Sequence, residues 1–250
     1  MVIQREKMSA SLTLTLSAIF TALVFVVTSA FSLYIPQTRG FFNIGETAVY
    51  LAALIGGPYV GAIAGGFGSM LADLFLGYPY YAPATLAIKA IEGFIVGYLV
   101  HRIFLKKAFN SRVFGVGTSL FLGSVLFILG ATFYVGDLEI WSREFLVFSY
   151  PLTADIAFTV WGIIAVIFIV FVTYLVLKNP EDIKFIISMA IGGAEMVLGY
   201  FLYQQFFYEI IVGEAVIALA EVPFNVMQML VGLMVANYVY KAYTKVWTYK

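Results

Sequence analysis

Seven ionisable side chains fall inside apolar stretches of this sequence: Glu46, Asp73, Lys89, Glu92, Asp155, Glu195 and Glu221. A charge at the centre of a bilayer costs on the order of 3 kcal/mol on insertion scales, so each needs a partner or a purpose. Lys89 and Glu92 are three residues apart, share a helical face and can form an ion pair; Asp73 could pair with Lys89 from a neighbouring helix. The pair serves either as a brace for a bundle or as part of a ligand-binding wall. Metal and redox chemistry by cysteine is excluded because the chain has no Cys. Its only histidine, His101, lies at a helix end, with no partner for serine hydrolysis and no His-Glu-x-x-His zinc motif. No catalytic residue, cofactor or metal ligand is expected, and an aspartyl pair of Asp73 and Asp155 is the one enzymatic alternative.

The elements that must position these groups are membrane helices. Of 250 residues, 62% are hydrophobic and 11% charged, against roughly 25% charged in soluble domains. Net charge is zero and basic residues are scattered, which excludes nucleic acid as a partner. Apolar runs near the spanning length predict helices over 10–34, 84–105, 113–135, 151–177, 185–208 and 215–240. Residues 46–77 are apolar but broken by Gly56-Gly57-Pro58, as one kinked span or a hairpin of two short helices.

Charge resolves that choice. Cytoplasmic loops concentrate Lys and Arg. Arg5 and Lys7 place the start of the chain inside, and Arg102, Lys106, Lys107 and Arg112 must also lie inside. The segment 46–77 then crosses an even number of times, as helices 46–57 and 59–77. The resulting map has eight spans, with both ends cytoplasmic in the cell membrane. Eleven basic residues fall inside on it, Lys178, Lys184, Lys241, Lys245 and Lys250 among them, and only Arg39 and Arg143 outside. Gly57, Gly61, Gly65 and Ser69 recur every four residues and give one helix a smooth packing ridge.

On this map the buried charges, with Gln204 and Asn225, gather in the outer halves of the helices, with Glu195 near the midplane. The pattern predicts a polar cavity open to the outside above a sealed apolar inner half, which suits capture and not conduction. Tyr78, Tyr80, Tyr81, Tyr200, Tyr203, Phe206, Phe207 and Tyr208 crowd the outer ends. Most read as an interfacial belt, though a flat ligand would use such faces for stacking.

Several runs carry a family resemblance. Asn43-Ile44-Gly45-Glu46, the stretch from Tyr50 to Gly56-Gly57-Pro58, Gly61 to Gly66, Ala72-Asp73, Tyr78-Pro79-Tyr80-Tyr81 and Lys89 to Glu92-Gly93 are similar to the S components of energy-coupling factor (ECF) transporters. Gly192-Gly193, Gly199-Tyr200, Val222-Pro223-Phe224-Asn225 and Gln228 resemble the closing helices of that family. The likeness covers 10–105 and 185–242 of one membrane domain, 1–250. It implies an all-α, polytopic, six-helix subunit that binds a vitamin or vitamin precursor from outside. It also implies docking on a membrane coupling subunit with two cytoplasmic ATPases, through an Ala-x-x-x-Ala motif matched by Ala18 and Ala22. The loop 35–45, with Phe41, Phe42 and Asn43, would be a lid.

The expected substrate-binding set is Asn43, Asp73, Tyr81, Lys89, Glu92, Tyr200, Gln204 and Asn225. Residues 113–177, two helices joined by an outer loop at 137–144, are surplus to a six-helix core and stand as an extra transmembrane hairpin. The alternatives are a stand-alone secondary transporter and a purely structural membrane subunit.

Overall fold

The computed structural model describes residues 8–35, 39–103, 112–142, 151–178 and 182–248. Arg5, Lys7, Lys106, Lys107, Arg143 and Lys250, used above to orient the chain, lie outside the described residues, as does part of the expected lid. Helix α1 (Ala10–Ala30) opens on a Ser9 cap that accepts from the Leu12 amide at 3.2 Å. Strands β1 (Ser32–Ile35) and β2 (Gly40–Asn43) follow, then α2 (Glu46–Gly56), α3 (Pro58–Leu76) and α4 (Ala82–Tyr98), which runs on through a wide turn, Leu99–Ile103. The remaining elements are α5 (Arg112–Phe133), β3 (Gly136–Ser142), β4 (Pro151–Ile156), α6 (Phe158–Lys178), α7 (Ile183–Tyr203), the short α8 (Glu209–Val212) and α9 (Ala218–Thr248). Among the described residues seven helices are long and apolar enough to cross a membrane. The eighth expected crossing, α2, has 11 residues and is about 16 Å long, roughly half the thickness of a hydrocarbon core.

The break between α2 and α3 lies where the Gly-Gly-Pro run predicts it. Gly57 takes φ 82°, a conformation closed to most side chains, and Pro58 then starts α3 in the position that needs no amide donor. Packing shows a hairpin: Gly61 touches Ala53, and Gly65 touches Val49. The other face of the α3 ridge meets α4 backbone to backbone, Gly61 against Gly93 and Gly65 against Lys89. A Cβ at Gly93 would run into the Gly61 carbonyl, so the glycines set the helix separation, as expected of a small-residue ridge. At the far end Gly77 (φ 83°) closes α3, and the Tyr78 amide returns to the Asp73 carbonyl at 2.8 Å.

The structure adds a four-stranded antiparallel sheet, order β2-β1-β3-β4, to a bundle that is otherwise helical. The first span therefore stops at Ala30 rather than 34, and the sixth starts at Phe158 rather than 151. Asp155, expected in a helix, is in β4 opposite Asp137 of β3. Leu33 and Tyr34 of β1 pair with Ser142 and Trp141 of β3, so the ribbon of the extra hairpin continues the ribbon that follows α1. Because α1 runs toward the sheet and α9 runs away from it, residues 8 and 248 lie on the face opposite the sheet.

Candidate functional site

A cavity lies directly beneath β2 and is walled by four helices. Asp73 comes from α3, Tyr81 from the turn after it, Thr85 and Lys89 from α4, Tyr200 from α7, and Glu221, Asn225 and Gln228 from α9. Gly40, Phe41 and Asn43 of β2 form the roof. Helical spacing explains the convergence: Thr85, Lys89 and Glu92 recur at i, i+4, i+7 on α4, and Glu221, Asn225 and Gln228 do the same on α9.

The roof is tied down. Asn43 Nδ2 donates to Gln228 Oε1 at 2.5 Å, Gln228 Nε2 donates to Asn225 Oδ1 at 3.0 Å, and Asn43 Oδ1 accepts from the Gly45 amide at 2.8 Å. Phe41 packs on Tyr78 with ring centroids 4.9 Å apart. Gly40 rests on the Glu221 carboxylate, in a space that any Cβ would fill. The remaining hollow measures about 40 Å³, room for two or three waters. The sequence predicts a cavity open to one side; the structure shows a small hollow roofed by the β2 segment and still partly open.

On the walls, Gln204 Nε2 donates to Tyr81 Oη at 2.7 Å and to Glu221 Oε2 at 2.5 Å. Tyr81 thus accepts a hydrogen bond and keeps its own proton to offer, since burial, reinforced by the nearby Glu221 charge, pushes its phenol well up. Tyr200 Oη donates to Thr85 Oγ1 at 3.0 Å, and Thr85 lies within hydrogen-bonding reach of Asp73. Beneath the floor, Lys89 Nζ donates to Glu46 Oε1 and, at 3.1 Å, to Glu92 Oε2, and sits 5.6 Å from the Tyr200 ring centre. All three charged groups are buried.

Of the eight residues named from the sequence, six line the cavity: Asn43, Asp73, Tyr81, Lys89, Tyr200 and Asn225. Gln204 stands behind Tyr81 and Glu221, and Glu92 lies one turn below, braced on Lys89. The expected Lys89–Glu92 pair is present, but Lys89 takes Glu46 as its second partner rather than Asp73. Sequence reasoning left Gly40, Phe41, Thr85, Glu221 and Gln228 out of the binding set. The i, i+4, i+7 spacing along α4 and α9 was the signal for Thr85, Glu221 and Gln228. The aromatic belt divides: Phe206 and Phe207 are exposed, whereas Tyr78, Tyr81, Tyr203 and Tyr208 are buried. Tyr81 packs on Tyr80, Tyr203 and Tyr208 with ring centres 5.3–5.4 Å apart.

The remaining candidates separate. β4, with Asp155, is at the sheet edge opposite β2, away from Asp73, and the Asp155 side chain lies outside the described residues. His101 Nε2 lies 3.0 Å from the Leu54 carbonyl, at the α2–α3 turn. Ala18 and Ala22 lie on the exposed face of α1, opposite Ser17, Phe20 and Val24, which are buried.

The family model for the S component of ECF-type riboflavin transporters matches residues 8–138, just over half of the chain. The chain belongs to this family. It is 33% identical over 126 residues to the thiamine precursor transporter HmpT of Lactococcus lactis subsp. cremoris (strain MG1363), covering 50% of this chain and 67% of that protein. It is also 41% identical over 107 residues to an uncharacterised protein from Pyrococcus woesei, covering 43% of this chain and 67% of the relative. No solved structure matches. The S-component chain is therefore a multi-pass membrane protein with a transport role.

Proposed function

We propose that this S component captures a vitamin or vitamin precursor on the sheet side of the membrane. It then hands the solute on through a membrane coupling subunit and two cytoplasmic ATPases. The observation that carries the reading is the cavity beneath β2. Asp73 Oδ2, Asn225 Nδ2 and Gln204 Oε1 are buried there or against it with no hydrogen-bond partner. A buried polar atom left unmade costs about 1–3 kcal/mol, which a polar ligand offsets by supplying the missing bonds.

The charge distribution supports the sheet side as the outside. The described basic residues Arg102, Arg112, Lys178, Lys184, Lys241 and Lys245 belong to the opposite ends of their helices, and Arg39 alone is near the sheet. Both chain ends are then cytoplasmic. Entry to a hollow this small requires the β1–β2 ribbon to lift.

The extra hairpin, 113–177, takes a place in this reading as a buttress. Its β3 strand extends the lid ribbon. Tyr134, just past α5, donates its hydroxyl to the Ala220 carbonyl beside Glu221 and packs edge-on against Phe224 at 4.6 Å, while its backbone carbonyl accepts from Trp161 Nε1 at 2.7 Å.

Docking on the coupling subunit falls to the exposed Ala18–Ala22 face, where small side chains permit close helix approach. The test is paired. Ala18→Trp with Ala22→Trp should leave ligand affinity within about twofold and abolish ATP-driven uptake in cells that also make the coupling subunit and ATPases. Equal loss of both activities contradicts the docking role, and uptake without those partners favours a stand-alone transporter.

A further inference from the structure

The charges around the cavity do not balance, and the imbalance selects a class of ligand. Lys89 is the one basic side chain among the residues lining it. Its ammonium is already committed to Glu46 and Glu92. Two more carboxyl groups, Asp73 and Glu221, face the hollow itself. Arg39, the described cation nearest the lid, is outside on Glu214. With Glu195, which lies within electrostatic reach of Lys89 and Glu92, five carboxyl groups among the described residues thus share one lysine.

The unmade hydrogen bonds lean the same way. Asp73 is 4% exposed, lines the hollow, and leaves Oδ2 without a partner. Gln204 Oε1 and Glu46 Oε2 are further buried acceptors without donors, against one buried amide donor without an acceptor, Asn225 Nδ2. Asn225 Nδ2 and the Tyr81 hydroxyl are donors at the hollow, but Lys89 is the one positive group among the lining residues, so the site is short of positive charge. It has aromatic faces to hold a flat ring, with Tyr81 and Tyr200 on the walls and Phe41 in the roof.

We propose that the cavity takes a flat nitrogen heteroaromatic whose amino-substituted or positively charged edge donates to Asp73, and that it rejects carboxylated and phosphorylated ligands. An amino group beside a ring nitrogen presents two parallel N–H donors once the ring is protonated, which matches the two oxygens of a carboxylate. A phosphate would bring between one and two further negative charges into a site whose carboxyl groups already outnumber its one lysine. The inference rests on the capture reading and narrows it to one chemistry.

The test uses full-length protein, purified in detergent and stripped of bound solute, with calorimetry against four probes. These are thiamine (a permanent cation), an aminopyrimidine, riboflavin (neutral) and nicotinate (an anion). The expected order places thiamine or the aminopyrimidine at least about a hundredfold tighter than riboflavin, with nicotinate not bound. Replacing the amino group by a carbonyl oxygen, as in the corresponding pyrimidinone, should cost at least about tenfold, the scale of one charge-assisted hydrogen bond. Asp73→Asn should remove that preference while melting within a few degrees of wild type, and Glu221→Gln serves as the second variant if Asp73→Asn does not fold.

Riboflavin or nicotinate binding tighter than both aminated probes overturns the assignment and leaves capture standing. If no probe binds, the assignment is also overturned, and mass spectrometry of protein purified without stripping separates the two readings. A co-purifying neutral or anionic vitamin keeps the capture reading; no co-purifying small molecule ends it as well.

Discussion

The two halves of the bundle, divided midway between the sheet and the opposite face, are built from the same helices by different means. In the sheet-side half, Glu46, Asp73, Lys89, Glu92, Glu221, Asn225 and Gln228 are buried among tyrosines. In the opposite half α2, α3 and α4 close on one another through Gly57, Gly61, Gly93 and Gly97 with Ala53 and Val60. Among the described residues charge returns there at the rim, where Lys241 pairs with Asp182. The difference teaches where function was allowed to cost stability. Glycine contacts shut the α2–α3–α4 interface with no polar side chain to satisfy, whereas the cavity and its wall keep Asp73 Oδ2, Asn225 Nδ2 and Gln204 Oε1 without partners; in the opposite half the buried Asn237 of α9 is an exception to the apolar packing. A pore would carry polar groups through both halves.

Substitutions can break this contrast, and the largest effect is expected at Lys89. Lys89→Ala strands Glu46 and Glu92 in an apolar interior, and removing one member of a buried ion pair costs about 3–5 kcal/mol. Thermal unfolding in detergent should fall sharply and ligand binding should weaken by more than tenfold; unchanged values for both would show that the two glutamates carry no charge. Gly93→Ala tests the other half. Its Cβ meets the Gly61 backbone, and overpacking of this kind costs about 1–3 kcal/mol. The melting temperature should drop, while the fraction that folds should bind ligand with wild-type affinity.

Two smaller effects sharpen the contrast inside the sheet-side half. Gln228→Ala releases Asn43 from α9 and removes the tie that holds the roof. Ligand dissociation should speed up by about tenfold, the equivalent of roughly 1.4 kcal/mol, with little change in melting. Tyr134→Phe deletes the bond to the Ala220 carbonyl at a cost of about 1 kcal/mol, and affinity should fall only a few-fold. No effect of Tyr134→Phe on binding would remove the extra hairpin from the site.

What the sequence made legible follows from locality. The membrane helices, the α2–α3 turn and the glycine ridge are written in runs and spacings within one segment, and they are found in order, apart from the sheet-side ends of the first and sixth spans and the short α2. Lys89 with Glu92 was readable for the same reason, being one face of one helix. The sheet was not, because β1 meets β3 across more than a hundred residues and four-residue strands carry no period of their own. Ser32–Ile35 reads as the end of a span and Pro151–Ile156 as the start of one. The choice of Glu46 over Asp73 as the second partner of Lys89 also depends on how helices meet. So does the roofing of the cavity, because Gly40 reads as a loop residue until it is seen resting on Glu221.

Native mass spectrometry of the protein as purified from cells tests the central claim most directly, run beside Asn225→Leu, a replacement of similar size that removes polar atoms from the cavity wall. One small molecule per chain is expected on the wild type and none on the variant, with both equally folded. A wild-type chain that carries nothing, or a variant that keeps the same molecule at the same occupancy, would contradict the claim.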